Sequence, residues 1–107
     1  MIVDVGGSSL IFGRDGNDTI CAGNGSDLVF GQDGEDWIDG GNGRDVLDGG
    51  DEDDELHGGP GSDVLFGGDD DDFLDGGPQR DFCSGGDGDD TFASCELRLR
   101  DRHDDDD

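Results

Sequence analysis

The chain has no lysine and is poor in apolar residues. Its 107 residues include six basic and 31 acidic side chains, the formal net charge is −25, and 28% of the residues are hydrophobic. So little apolar surface does not offset the conformational entropy and the charge repulsion that oppose folding. Nucleic acid and anionic lipid surfaces would repel such a chain. We therefore expect one small domain at most, which folds only when a cation neutralises its carboxylates.

Other missing residues exclude several classes of protein. No apolar run approaches the length of a transmembrane helix, and "MIVDVGGSSL" lacks the features of a secretory signal. The two histidines, His57 and His103, have no nucleophile arrangement beside them, so we expect no enzyme. With Thr19 and Thr91 as its only threonines, the chain cannot form the flat threonine lattice of an ice-binding solenoid. No stretch supplies an EF-hand loop, and no His/Cys cluster suggests zinc.

What the chain does contain is a repeat. Nine consecutive units of nine residues run without insertion from Gly13 to Ala93. Glycine occupies position 1 in eight units, position 2 in seven and position 4 in six. Position 8 is apolar in all nine units: Ile20, Val29, Ile38, Leu47, Leu56, Leu65, Leu74, Cys83 and Phe92. Each unit therefore alternates a glycine-rich turn with a three-residue extended segment whose central side chain points inward.

A coil with two units per turn would bury these inward side chains. Residues 18 apart would then lie above one another at the strand spacing of roughly 4.8 Å. Odd-numbered units would form one short parallel sheet and even-numbered units a second sheet facing it. The position-8 side chains would fill the gap between the two sheets, so the predicted fold is all-β.

Position 6 is aspartate in every unit, and the coil arranges these residues in two columns. The residues of the odd units are Asp18, Asp36, Asp54, Asp72 and Asp90, and those of the even units are Asp27, Asp45, Asp63 and Asp81. Carboxylates stacked at the strand spacing repel one another unless a cation lies between them. The turns add backbone carbonyls, and a flexible site made only of oxygen ligands favours Ca²⁺ over Mg²⁺.

The units are similar to the nonapeptide GGxGxDxUx of the repeats-in-toxin (RTX, haemolysin-type) calcium-binding family over residues 13–93. The resemblance implies a parallel β-roll, a right-handed β-solenoid with two nine-residue repeats per turn. It also implies Ca²⁺ between units n and n+2, with carbonyls of positions 1 and 3 on one side and 2 and 4 on the other. Nine units then give about seven sites, and seven ions would bring the formal charge from −25 to about −11. Proteins of this family are usually bacterial and extracellular.

Five residues depart from the glycine pattern. Glu52, Asp70 and Gln79 occupy position 4, and Arg14 and Gln32 occupy position 2. Side chains other than glycine and Asn/Asp adopt left-handed backbone conformations at a cost. We therefore expect the calcium sites that involve units 5, 7 and 8 to be weaker or distorted.

The segments that flank the repeats are predicted to cap the roll. Residues 1–12 resemble a degenerate unit, with Ser9 in place of the aspartate and Ile11 at position 8. Residues 94–107 are expected to form a short capping strand followed by an acidic tail. Cys83 either fills its core position as a small hydrophobic residue or forms a disulfide with Cys95, as in the cysteine-bearing final repeats of some RTX proteins; Cys21 would stay unpaired.

The outward positions 7 and 9 differ between the two sheets. Those of the even units form an apolar stripe: Leu28, Phe30, Val46, Val64, Phe66 and Phe82. The stripe has two interpretations. Strand propensity alone favours such residues, or the even sheet packs on another copy or on a larger protein. The sequence therefore predicts a module that folds on binding calcium at extracellular concentrations. The alternative is an extracellular adhesion or interaction module in which calcium is purely structural.

Overall fold

A computed structural model describes residues 2–3 and 6–99, with the side chains of residues 6–96. The rest of the predicted N-terminal cap, and residues 100–107 with the acidic tail and His103, lie outside the described residues. Nearly every strand is three residues long. They are β1 (Ile2–Val3), β2 (Leu10–Phe12), β3 (Thr19–Cys21), β4 (Leu28–Phe30), β5 (Trp37–Asp39), β6 (Val46–Asp48), β7 (Glu55–His57), β8 (Val64–Phe66), β9 (Phe73–Asp75), β10 (Phe82–Ser84), β11 (Thr91–Ala93) and β12 (Leu97–Leu99). No helix, and so no helix able to span a membrane, occurs in this part of the chain.

The strands form two parallel sheets of six strands each. The odd sheet has the order β1-β3-β5-β7-β9-β11 and the even sheet β12-β10-β8-β6-β4-β2. Within the repeats each residue pairs with the residue 18 positions away, as in Ile20 with Ile38 and Val29 with Leu47. The prediction of an all-β roll is confirmed. Two units form each full turn of the roll, called a coil below, and the roll has about five coils.

The core is a single layer of the position-8 side chains. Eight of them, from Ile20 to Cys83, have no exposed surface, whereas Phe92 in the last unit is only partly buried. With one fully buried apolar side chain per nine residues, this layer is thin relative to the length of backbone that it has to hold in place.

Each turn uses a left-handed conformation at positions 2 and 4. Gly43 has φ +106°, and a Cβ on it would overlap the carbonyl oxygen of Gly25 in the preceding coil. The five non-glycine residues at these positions adopt the same conformation, with φ between 72° and 75°: Arg14, Gln32, Glu52, Asp70 and Gln79. The departures from the consensus thus leave the backbone of the turn unchanged and add strain to it. Whether the sites beside them bind more weakly stays a prediction.

Both ends of the described chain continue the sheets. Ile11, in the degenerate first unit, is 7% exposed and lies in register with Val29. At the other end β12 pairs with β10, but its register offset is 15 residues where the repeats use 18. Cys83 is fully buried at its core position and also forms a disulfide with Cys95, so the two interpretations of Cys83 hold together, and Cys21 is free. The boundaries predicted for the caps stay predictions.

Two substitutions in the turns should have opposite effects on stability. Gly43→Ala should lower the free energy of unfolding by at least about 2 kcal/mol, because the new methyl group meets backbone at a positive φ. Glu52→Gly should raise it by about 1 kcal/mol, because glycine adopts φ +74° without strain. Urea denaturation in calcium-containing buffer, followed by circular dichroism, measures both changes. Equal stability of the three proteins would contradict this account of the turns.

Candidate metal centre

The position-6 aspartates form two ladders, one along each edge of the roll. The odd column, in the turns before the odd strands, contains Asp18, Asp36, Asp54, Asp72 and Asp90; the even column contains Asp27, Asp45, Asp63 and Asp81. In each ladder one carboxylate oxygen, Oδ1, accepts a hydrogen bond from the backbone N–H of the aspartate one coil earlier. The distance is 2.8 Å from Asp18 N to Asp36 Oδ1 and 2.9 Å from Asp27 N to Asp45 Oδ1. Along the rest of the columns these distances are 2.7–2.8 Å.

The second carboxylate oxygen, Oδ2, is buried and lacks a partner. Among the described residues no hydrogen bond reaches this atom in Asp18, Asp27, Asp36, Asp45, Asp54, Asp63, Asp72 or Asp81. From Asp27 to Asp81 these side chains are 1–4% exposed. Leaving a buried charged group unsatisfied costs several kcal/mol. The columns therefore contain buried negative charge, repeated in every coil, that no group among the described residues compensates.

Glycine at position 1 makes room for this oxygen. A Cβ on Gly40 would lie 2.7 Å from Asp45 Oδ2 and 3.0 Å from the carbonyl oxygen of Gly58 in the next coil. A Cβ on Gly58 would likewise lie 2.6 Å from Asp63 Oδ2 and 2.9 Å from the carbonyl oxygen of Gly76. From Gly13 to Gly76, each position-1 glycine thus leaves a space bordered by a carboxylate oxygen of its own turn and a carbonyl oxygen of the next coil.

The carbonyls of a turn point in two directions. The position-1 carbonyl faces the preceding coil, as that of Gly58 shows. The carbonyls of positions 2 and 4 face the following coil, because those of Gly23 and Gly25 lie against Gly41 and Gly43. The space between two coils is therefore lined with main-chain oxygens from both sides. This arrangement agrees at positions 1, 2 and 4 with the one that the resemblance implies.

Burial perturbs the carboxyl groups of both columns. It raises the pKa of Asp36 to about 6 and that of Asp45 to about 7, from 3.8. Deeper in the roll the pKa of Asp54 and of Asp63 rises to about 8, and that of Asp72 to about 9. Loss of hydration is the largest cause. Coulombic repulsion from the next aspartate in the column adds to it, whereas the backbone N–H donated to each carboxylate acts in the opposite direction.

The oxygen atoms present fit Ca²⁺. No group of three or more His, Cys, Asp or Glu side chains in the described part of the chain is arranged as a metal site. Two stacked carboxylates therefore need the main-chain carbonyls as further ligands. A site of carboxylates and carbonyls with no nitrogen or sulfur is the donor set that Ca²⁺ prefers, since it takes six to eight oxygens in flexible geometry.

The turns at the two edges of the roll differ at position 3, which the nonapeptide pattern leaves unspecified. Odd turns have aspartate at position 3, where even turns have asparagine or proline. The N–H of Asp51 donates to the carbonyl of Gln32 at 3.1 Å, and that of Asp69 to the carbonyl of Gly50 at 3.0 Å. Pro60 has no N–H and makes no such bond to Gly41. The sequence-based prediction did not include this difference, although the alternation of residues at position 3 would have revealed it.

His57 lies away from both columns, on the outer face of the odd sheet. Its Nε2 atom is 2.7 Å from Glu55 Oε2 and its Nδ1 atom is 3.6 Å from Asp75 Oδ2. The imidazole also contacts the rings of Trp37 and Phe73, with centroids 5.3 and 5.8 Å away. These contacts hold the ring on the sheet surface, and no serine, threonine or cysteine nucleophile is among them.

In excess chelator, the roll should lose structure as the pH rises. A carboxyl group whose pKa is higher in the folded state stabilises the fold when protonated, and this stabilisation disappears as the pH rises through that higher pKa. For Asp54, Asp63 and Asp72 the loss should extend from about pH 4 to about pH 9. Far-ultraviolet circular dichroism at constant ionic strength measures the β content.

A neutral side chain in the column should weaken this pH dependence. Asp72→Asn keeps a hydrogen-bond acceptor for its neighbour but does not ionise, so the alkaline part of the transition should shrink. Asp15→Asn, at an exposed position outside the columns, should leave it unchanged. A β signal that grows as the pH rises in chelator would contradict the burial of ionisable carboxyl groups.

The repeat region matches one known protein family. Four overlapping matches, to residues 2–29, 22–56, 30–65 and 57–92, identify the RTX calcium-binding nonapeptide repeat. No curated protein and no solved structure matches the chain. The matches together extend over residues 2–92 and include every buried aspartate of the two columns. The chain therefore belongs to the RTX calcium-binding nonapeptide repeat family.

Proposed function

We propose that this chain is a calcium-binding module that folds when its two columns bind Ca²⁺ at extracellular concentrations. The nine position-6 aspartates supply the carboxylate ligands, and carbonyls of the neighbouring turns supply the rest. The observation that supports this proposal is the buried, unpartnered Oδ2 atom repeated along both columns. Family membership implies calcium binding, and the family is a structural calcium-binding family rather than an enzyme family.

Folding and binding are coupled because neither half of a site exists alone. Each space between coils takes its oxygens from two units separated by 18 residues, and these units approach only when the sheets form. The sheets in turn bring together carboxylates that repel one another. Ca²⁺ supplies the positive charge that offsets this repulsion. Metal-binding free energy is then folding free energy, as in other small metal-dependent domains.

The number of ions follows from the nine units. Pairing each unit with the unit two places further on gives seven spaces with a carboxylate on both sides. Glu52, Asp70 and Gln79 lie in turns that border several of these spaces. Burial is the largest cause of the raised pKa of Asp36, and repulsion from the Glu52 carboxylate adds a smaller contribution. We propose that the neighbouring sites bind less tightly. Sites of low affinity fill only at the millimolar calcium concentrations found outside cells, as in other extracellular calcium modules. Weak sites would therefore support a secreted protein.

The primary experiment compares the secondary structure with and without calcium. Circular dichroism should show an unfolded chain in chelator at pH 8 and a β spectrum after calcium is added, with reversal on chelation. Magnesium at the same concentration should have little effect, because it retains its water ligands. Asp72→Asn should need more calcium to fold than the wild type, whereas the exposed variant Asp15→Asn should not. The same β content in calcium and in chelator would refute the proposal.

A second function, as an interaction module, is supported by the outer face of the even sheet. The exposed large hydrophobic residues of the described chain all lie there: Leu10 (59%), Phe12 (43%), Leu28 (37%) and Phe66 (38%). Phe30, Val46, Val64 and Phe82 continue the predicted stripe but are partly buried. Phe12 stacks on Phe30 with ring centroids 5.3 Å apart. The stripe thus begins one coil earlier than the sequence predicted, and a protein partner or a second copy would cover it.

Analytical ultracentrifugation of the calcium-loaded protein tests whether that partner is a second copy. Association should increase with protein concentration and should weaken in the double variant Phe12→Ser, Phe66→Ser. Phe73→Ser removes a phenyl ring from the odd sheet and should leave association unchanged. A protein that stays monomeric at high concentration would exclude self-association and leave a different protein as the partner.

A further inference from the structure

The chain that follows the ninth unit forms a shortened turn rather than a tenth full unit. Ser94 takes position 1, since its carbonyl oxygen lies 2.6 Å from the point that a Cβ on Gly76 would occupy. In full units a glycine carbonyl fills this place. Two residues later Glu96 takes the place of the position-6 aspartate, and β12 begins at Leu97. Ser94 makes the sharp bend with φ +52°.

Glu96 continues the even column beyond the repeats. Its Oε1 atom accepts a hydrogen bond of 3.0 Å from the backbone N–H of Asp81, which in a full unit would bond to the aspartate 18 residues further on. The sequence separation here is 15 residues. Glutamate has one more methylene group than aspartate, and from the shorter turn it reaches the same N–H. The carboxylate ladder therefore extends one step further than the aspartates do.

Asp81 faces this shortened turn with an unsatisfied oxygen. The residue is 2% exposed, its Oδ1 atom accepts the N–H of Asp63, and its Oδ2 atom has no hydrogen-bond partner among the described residues. A Cβ built on Gly76 would lie 2.7 Å from this Oδ2 atom and 2.6 Å from the carbonyl oxygen of Ser94. The two oxygens therefore line the same space beside Gly76. The end of the even column thus has the carboxylate, the carbonyl and the second acidic residue found between full coils.

The disulfide fixes this arrangement to the roll. Cys95, between Ser94 and Glu96, is bonded to Cys83, whose side chain fills the last buried core position of the even sheet. Without this bond, only β12 and a few hydrogen bonds would hold a turn that is too short to repeat the geometry of the others. The disulfide thus anchors Cys95, and with it the Ser94 carbonyl and the Glu96 carboxylate on either side, which complete the space beside Asp81.

We infer that Glu96 and Asp81 form a further calcium site at the C-terminal end of the even column, and that the Cys83–Cys95 disulfide holds the shortened turn in place for it. The site lies outside the seven spaces between aspartates, because Glu96 is not part of any nonapeptide unit. The inference rests on the proposed function, since it assigns to a chain-specific residue the same cation. Glu96 thus acts as a ligand as well as a hydrogen-bond acceptor for the cap.

Counting bound calcium ions by native mass spectrometry tests this inference on the full-length oxidised protein. Glu96→Gln keeps the acceptor for Asp81 N–H and removes the charge, so it should bind one ion fewer than the wild type. Glu35→Gln, an exposed glutamate outside both columns, should bind the same number as the wild type. An equal number of ions in Glu96→Gln and the wild type would overturn the site and leave the proposed function intact. A wild-type protein that binds no calcium would overturn both.

A second measurement does not depend on the folding of a variant. The wild-type protein, with its disulfide reduced by a phosphine, should also lose one ion, because the shortened turn is no longer anchored. Its circular dichroism in calcium should remain that of a roll, which separates loss of the end site from general unfolding. A reduced protein that retains every ion would overturn the role of the disulfide.

Discussion

The stacked, buried carboxylates of the two columns are the main electrostatic cost of this fold. Seven of the aspartates are at most 4% exposed, and each receives a single backbone N–H along the ladder. A hydrogen bond to a charged group contributes about 1.5–3 kcal/mol, whereas removing an ionised carboxylate from water costs several kcal/mol even after relaxation. The ladder hydrogen bonds thus do not offset the burial. Protons or cations must supply the difference, and at neutral pH a divalent cation neutralises two carboxylates at once.

The geometry of the roll makes this requirement cooperative. One inward side chain per unit, such as Leu47 or Leu56, contacts only the layers beside it, so each coil depends on its neighbours, as in other solenoid proteins. Each position-6 carboxylate within a column, apart from those at its two ends, likewise belongs to two adjacent spaces. An incomplete coil at an end therefore exposes both a core face and an unsatisfied carboxylate. Ser9 caps the start by donating its N–H to Asp27 at 2.8 Å, and Glu96 caps the even column at its end.

Strict periodicity explains what the sequence could predict. Every unit has nine residues. Once Asp45 is assigned to a column and Leu47 to the core, the positions of the equivalent residues in all other units follow, and the structure has them there. Where the period fails, prediction failed as well. Glu96 reaches the even column through a turn that is three residues shorter than those of the repeats, so the nine-residue period did not reveal it. For Cys83, the spacing alone left two interpretations open. Gln79 looked like a defect in the consensus, yet the stacked neighbours impose φ +75° on it.

The two edges of the roll also carry different charges, and this affects their response to salt. Odd turns have exposed carboxylates at position 3. A side-chain hydrogen bond with Asp33 is the largest cause of the raised pKa of Asp51, and repulsion from Asp69 and Asp33 adds to it. Even turns have Arg44 and Arg80 at position 5. Exposed charges are screened over about 8–10 Å at physiological ionic strength, and buried pairs much less. Salt should therefore relieve the repulsion at the odd edge without replacing calcium within the columns. If calcium binds in the columns as proposed, ionic strength and calcium act on separate parts of the charge of this chain, the first on its surface and the second on its interior.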